Sequence, residues 1–449
     1  LALRRHHAAG KLFLLAASYV FYAQWDWRYC FLLFFVSVVA WGSGLVLGAT
    51  RGDSARRWVL GGTITALLGL LAWFKYADFL VGSANEAAEA LGAGWRLPFA
   101  EVILPVGISF FTFHGISYVV DVFRGDVAVC RRLGDMLLYL SFFPQLVAGP
   151  IVRASTFLPQ LAAPPRQDIA LAPALVLIAG GLFKKVVVAN YLATDLVDPV
   201  FFDPEGFGSA DLALASYAYA VQIYCDFSAY TDIAIGLAAL LGYRFPPNFD
   251  QPYRAQSLAE FWRRWHISLS SWLRDYLYKP LGGDRHGTAR TYRNLAITML
   301  LGGIWHGAAW KFVFWGALHG AGLIAERALG LRSGAGRPPL ARVLAALLVF
   351  HFVCLTWIFF RAESYEAAWS VIAGIAALRP GIEQAGAFTV GLLILGLSLH
   401  VLPRDWPRHL GEHLERWPRW ALAVLTGIVV LAIDALGPRG VAPFIYFQF

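Results

Sequence analysis

The chain is a succession of apolar runs, several of them close to one bilayer in length. They fall near residues 12–25, 29–49, 58–81, 102–120, 135–150, 170–194, 212–242, 294–305, 309–329, 340–361, 386–402 and 420–437. A helix needs about 20 apolar residues to cross a hydrocarbon core of ~30 Å. There its backbone polar groups must all be satisfied internally, which a helix achieves within one segment. The pattern predicts an all-α, polytopic integral membrane protein. Composition agrees: 58% of residues are hydrophobic and 15% charged, against about 45–50% and about 25% in soluble domains. No long Ser/Pro/Gly linker divides the 449 residues, so residues 1–449 read as one transmembrane domain.

Some runs are too short to cross alone, notably 135–150 and 294–305. Broken or re-entrant segments at membrane depth need protein or a wet cavity around them. Leu104-Pro105-Val106-Gly107 and Gly149-Pro150 are expected break points, because Pro and Gly interrupt the helical hydrogen-bond ladder.

The formal charge of +8 comes from 37 Lys and Arg against 29 Asp and Glu. The arginines fall mostly between apolar runs, where the positive-inside rule accounts for them. With no basic domain outside those runs, nucleic-acid binding is excluded as a function. Cys30, Cys130, Cys225 and Cys354 have no metal-ligand spacing and read as packing residues. The basic opening Arg4-Arg5-His6-His7 leads into an apolar run without a cleavage site, which is not a signal peptide. The pair Lys184-Lys185 reads as a membrane edge.

Residues 244–293 differ from their surroundings. Their excess of Arg and Lys over Asp and Glu places them on the cytoplasmic side, as an amphipathic or re-entrant segment. Ser257-Leu258-Ala259-Glu260 is a capping box. Leu258, Phe261, Trp262, Trp265, Leu269, Trp272, Leu273 and Tyr276 then recur at three- and four-residue steps. That spacing predicts one interfacial helix, tryptophans at headgroup level, with Arg263, Arg264, Ser270 and Arg274 on or near its other face.

Two histidines carry the chemistry. His266 lies at the border of that helix's apolar stripe, where it is either a half-wet interfacial residue or the mouth of a polar passage. His306 stands between Gly302-Gly303 and Gly307, with Trp305 and Trp310 as apolar walls. Desolvation there favours the neutral imidazole, the form that accepts a proton. His319, thirteen residues on, is expected on a different face and reads as structural. Asp226 is an intramembrane carboxylate with two open readings: it orients a catalytic group, or it pairs with an arginine and holds helices together.

The stretches SYVFYAQWDWRY (18–29), ILPVGISFFTFHGISYVVDVFRG (103–125), FFPQLVAGPIVR (142–153), residues 221–253, EFWRRWHISLSSWLRDYLYKPLGG (260–283), TMLLGGIWHGAAWKFVFWGALHG (298–320) and FIYFQF (444–449) together resemble the membrane-bound O-acyltransferase family, in its bacterial alginate O-acetylation branch. The resemblance implies roughly eleven membrane helices around a transbilayer tunnel, reached by a thioester from the cytoplasm and a hydroxyl from the other side. It implies His306 and His266 as the catalytic pair. Candidate substrate contacts are Trp262, Arg263, Arg264, Trp265, Ser270, Arg274, Trp305, Trp310 and Asp226, with Trp305 and Trp310 as possible oxyanion donors. The arginine rim suits coenzyme A phosphates, or simply follows topology. The donor is acetyl-CoA or another acyl thioester, with no bound cofactor and no metal. The implied setting is the bacterial inner membrane, with a periplasmic serine-hydrolase-like partner and an exported polysaccharide such as alginate as acceptor. Branch members carry an aromatic where Cys225 stands and glycine where Ala229 stands, and begin with one further helix, which implies a truncated N-terminus. Two rivals are D-alanyl transfer toward teichoic acid and a transporter or flippase of acylated glycan. The lack of inverted repeats and of paired intramembrane charges argues against the second.

Overall fold

The computed structural model describes residues 7–164, 168–331 and 338–438. The expectations for Arg4 to His6 and for FIYFQF at 444–449 lie outside the described residues. Among the described residues the structure is helical and contains no strand. The chain divides into two compact units, one of residues 1–169 and 238–246, the other of residues 170–237 and 247–449.

The first unit holds α1 (His7–Asp26), α2 (Tyr29–Ala49), α3 (Asp53–Ala90), α4 (Ile108–Arg124), α5 (Leu133–Ser141), α6 (Phe143–Leu146) and α7 (Ala154–Ala162). The third apolar run, expected over 58–81, extends well past both ends, because Asp53–Arg57 and Asn85–Ala90 continue the helix without being apolar. Both expected breaks are present. α4 starts after Gly107, which is left-handed (φ 76°) and lies against the Leu146 carbonyl so closely that no side chain fits. Non-helical backbone follows α6 through Gly149-Pro150. Phe142, Phe157, Tyr243 and Phe245 form an aromatic cluster, with Phe142 and Phe157 centroids 4.9 Å apart. Gln160 holds residue 244 by its backbone: its Oε1 accepts from Arg244 N at 2.8 Å, and its Nε2 donates to Arg244 O at 2.9 Å.

The second unit holds α8 (Leu171–Phe183), α9 (Ser209–Leu240, its last turn belonging to the first unit), α10 (Leu258–Arg264), α11 (Ile267–Leu273), α12 (Thr288–His306), α13 (Trp310–Ala328), α14 (Pro339–Arg361), α15 (Tyr365–Ala376), α16 (Ala387–Ser398), α17 (Trp406–Leu414) and α18 (Arg419–Leu436). Past Phe183 the backbone widens into π-helical turns over Lys184–Ala189 and Ala193–Val197. Such turns are frequent at functional sites. Among the described residues six helices are long and apolar enough to cross a bilayer: Tyr29–Ala49, Asp53–Ala90, Leu171–Phe202, Ser209–Leu240, Pro339–Arg361 and Arg419–Leu436.

Two sequence expectations are corrected here. The short run 294–305 is part of a 19-residue helix, since Thr288–Arg293 add polar turns at its start. The single helix expected over 258–276 is two. α10 stops at Arg264, His266 takes a left-handed conformation (φ 43°, ψ 56°), and α11 restarts at Ile267. Apolar spacing runs unbroken across this point, so it carried no sign of the turn. The capping box is present but shifted: Ser257 Oγ accepts from Glu260 N, whereas Glu260 Oε2 accepts from Gln256 N rather than from the cap itself.

Candidate active site

α12 and α13 form a helical hairpin closed by residues 307–309. Gly303 lies against the Phe312 carbonyl and Gly316 against the Met299 carbonyl, so a methyl group on either would collide with the opposite backbone. This close approach fixes His306 at the end of α12. The imidazole is 5% exposed. Its ring centroid lies 5.2 Å from Trp305, 5.0 Å from Trp315 and 5.3 Å from Phe360.

Trp305 also reaches the second histidine. Its centroid is 5.9 Å from that of His266, so one indole touches both imidazoles. His266 is fully buried, with Phe227 edge-on at 4.6 Å. It lies outside the six candidate spans. Burial pushes its pKa down to about 3, so the ring is neutral at physiological pH.

The turn that carries His266 is held from a distance. Asn248 O accepts from Ile267 N at 2.8 Å, and Asp250 N donates to Arg264 O at 2.9 Å. Asn248 Oδ1 accepts from Ser268 N at 2.9 Å, capping the start of α11. The same oxygen lies 3.2 Å from His266 Nδ1. A left-handed non-glycine residue costs of order 1–3 kcal/mol and persists only where its surroundings fix it. These four contacts do so.

The other expected contacts divide. Trp265 is 2% exposed and packs against Phe249, Tyr253 and Trp357, so it belongs to the protein interior and not to a headgroup layer. Trp262 stands 5.7 Å from Trp315 and 5.1 Å from His319. Ser270 Oγ donates to Trp265 O within the turn. Arg264 bonds Glu260 at 2.7 Å and Asp250 at 3.4 Å, which commits it to the turn and corrects its placement on a free basic face. Arg274 pairs with Asp275 at the surface. Arg263 lines a cavity of about 410 Å³ together with Ser257, Leu323, Glu326 and Arg327. Neither His266 nor His306 lines that cavity.

Trp310 is 60% exposed, a correction to its reading as an enclosing wall. Trp315 and Phe360 serve instead, and sequence reasoning missed both. Trp315 lies one helix on from His306, and no local spacing predicts that a hairpin folds it back. Its indole N–H is buried without a hydrogen-bond partner among the described residues. His319 is not remote either, since its ring centroid is 4.7 Å from that same indole. The hairpin brings together what a straight helix would separate. His319 Nε2 bonds Thr356 Oγ1 at 3.0 Å.

Asp226 pairs with a lysine rather than an arginine: Lys185 Nζ lies 2.7 Å from Oδ1. Lys184 pairs with Asp232 at 2.6 Å. The two lysines stand within the Leu171–Phe202 candidate span and face carboxylates of the Ser209–Leu240 candidate span. Paired charges between candidate spans are therefore present, contrary to the expectation from sequence.

The sequence model of the MBOAT, membrane-bound O-acyltransferase family matches residues 132–362. The chain belongs to the membrane-bound O-acyltransferase family. It is 44% identical over 371 residues to the probable alginate O-acetylase AlgI of Azotobacter vinelandii, covering 81% of this chain and 72% of that one. Its identity to the probable alginate O-acetylase AlgI of Pseudomonas putida is 39% over 472 residues, covering 98% and 94%. To the peptidoglycan O-acetyltransferase of Helicobacter pylori it is 36% over 398 residues, covering 82% and 74%. The chain is thus a multi-pass membrane O-acyltransferase, and both histidine motifs fall inside the matched region.

Proposed function

We propose that this chain takes acetyl from cytoplasmic acetyl-CoA at the bacterial inner membrane and passes it toward a hydroxyl of an exported polysaccharide such as alginate. A periplasmic acetyltransferase of serine-hydrolase type completes the transfer. The relatives named for alginate and peptidoglycan O-acetylation support the acetyl group and the glycan acceptor. The observation that carries the chemistry is the single Trp305 indole in contact with both His306 and His266.

In this reading neutral His306 takes the proton of the attacking hydroxyl as its oxygen bonds to the thioester carbon. The resulting oxyanion needs a donor, and the Trp315 N–H beside His306 is one. Collapse of the adduct breaks the carbon–sulfur bond, and the imidazolium returns its proton to the thiolate. Arg263 at the 410 Å³ cavity meets the donor's phosphates.

The test is reconstitution of the full chain in lipid vesicles with labelled acetyl-CoA on one face. Label should appear in an oligosaccharide or partner hydroxyl on the other face, with one free thiol released per acetyl moved. Label from a D-alanyl carrier protein but not from acetyl-CoA would replace the donor. Glycan movement without thiol release would replace enzyme by transporter.

A further inference from the structure

The contacts around His266 determine which of its two nitrogens carries the proton. The backbone N–H of Ser268 can only donate, so the Asn248 side-chain atom 2.9 Å from it is the carbonyl oxygen. The amide nitrogen then faces Thr231 Oγ1, at 3.4 Å. That carbonyl oxygen has no hydrogen to give. The nitrogen of His266 facing it at 3.2 Å, Nδ1, must therefore be the protonated one. Ser268 Oγ, at 3.5 Å from Nδ1, can adapt to either state. The remaining nitrogen, Nε2, carries the lone pair. It is buried without a hydrogen-bond partner among the described residues.

Asn248 is itself 1% exposed, and its backbone carbonyl accepts from Ile267 N. The same residue therefore holds the left-handed turn on its outgoing side, where Ile267 N and Ser268 N both donate to it, and selects the tautomer of His266. We propose that Asn248 is a positioning residue that locks His266 as the neutral Nδ1–H tautomer, so that Nε2 meets substrate as an acceptor only. The step rests on the reading that His266 contacts substrate. In this state His266 accepts a hydrogen bond from a substrate N–H or O–H and orients it. It has no proton at Nε2 to offer an oxyanion, which leaves that task to indole or backbone N–H groups.

The experiment is ¹⁵N-histidine magic-angle-spinning NMR of the full chain in lipid, with His266 assigned by difference against His266→Gln. The wild type should show a neutral ring protonated at Nδ1, unchanged between about pH 5 and 8. Asn248→Asp keeps both acceptor contacts and should retain the proton on Nδ1, but its carboxylate favours the doubly protonated ring, so Nε2 should gain a proton and turnover should fall. Asn248→Ala should lose that signature, and its kcat should fall by about a hundredfold or more, with KM within about threefold. Should Asn248→Ala fail to fold, the wild-type and Asn248→Asp spectra decide alone. A proton on Nε2 in the wild type overturns the proposal, as does Asn248→Ala with tautomer and kcat unchanged. Wild-type acetyl transfer that His306→Ala abolishes keeps the functional reading standing whatever these spectra show.

Discussion

Lys185 Nζ and Asp226 Oδ1 meet at 2.7 Å between two candidate membrane spans, with both side chains nearly excluded from the surface. An ion pair so placed is costly to break and much less costly to replace, because removing one partner leaves an uncompensated buried charge. Lys185→Met alone should destabilise the protein by about 3–5 kcal/mol, and the double variant Lys185→Met with Asp226→Leu should recover most of it. Thermal unfolding in detergent, followed by size-exclusion chromatography, reads both. If the double variant unfolds as early as the single one, the pair holds more than its two helices together.

Arg263 and Arg264 are neighbours in sequence with opposite expected phenotypes. Arg264 braces the turn through Glu260 and Asp250, so Arg264→Ala should cost about 1–3 kcal/mol of stability. Arg263 lines the cavity, so Arg263→Ala should raise KM for acetyl-CoA several-fold with kcat within twofold. Equal effects of the two on KM would restore the view that they form one rim.

His266 links stability to pH. Its folded-state pKa is about 3 against an ordinary 6.5, so between these values the unfolded chain binds more protons than the folded one. Its stabilising contribution is complete above about pH 6.5 and is lost as pH falls toward 3. His266→Gln should flatten that part of the stability curve. A variant curve parallel to wild type between pH 6.5 and 4 would show that the ring is not held neutral.

The hairpin depends on bare backbone at Gly303 and Gly316. Gly303→Ala places a methyl group against the Phe312 carbonyl and must separate α12 from α13. Acetyl transfer should fall by about a hundredfold or more, the cost of misplacing a catalytic group by about 1 Å. Near-normal transfer by this variant would mean that His306 does not need the close approach.

Much of this was legible in the sequence. The run 29–49 is α2 end for end, and 340–361 differs from α14 by one residue. Hydropathy reads such segments well because burial in lipid and helix formation demand the same residues. It failed where they part company. Asp53–Arg57 are helical without being apolar, and Trp265–His266 break a helix while the apolar spacing continues. Both histidines were legible as motifs. Asn248, Trp315 and Phe360 were not, because each reaches its histidine through the fold and no spacing rule connects them. The partners of Lys184 and Lys185 were illegible for the same reason, since their carboxylates come from another helix.

Acyl transfer by this chain depends on His306 as the base. The direct measurement is thiol release from acetyl-CoA, with and without an acceptor hydroxyl, by wild type and His306→Ala at matched folded amounts in vesicles. His306→Ala should lose at least about a thousandfold in acceptor-dependent release while donor affinity changes less than about threefold. Release by His306→Ala within tenfold of wild type would contradict this role of His306.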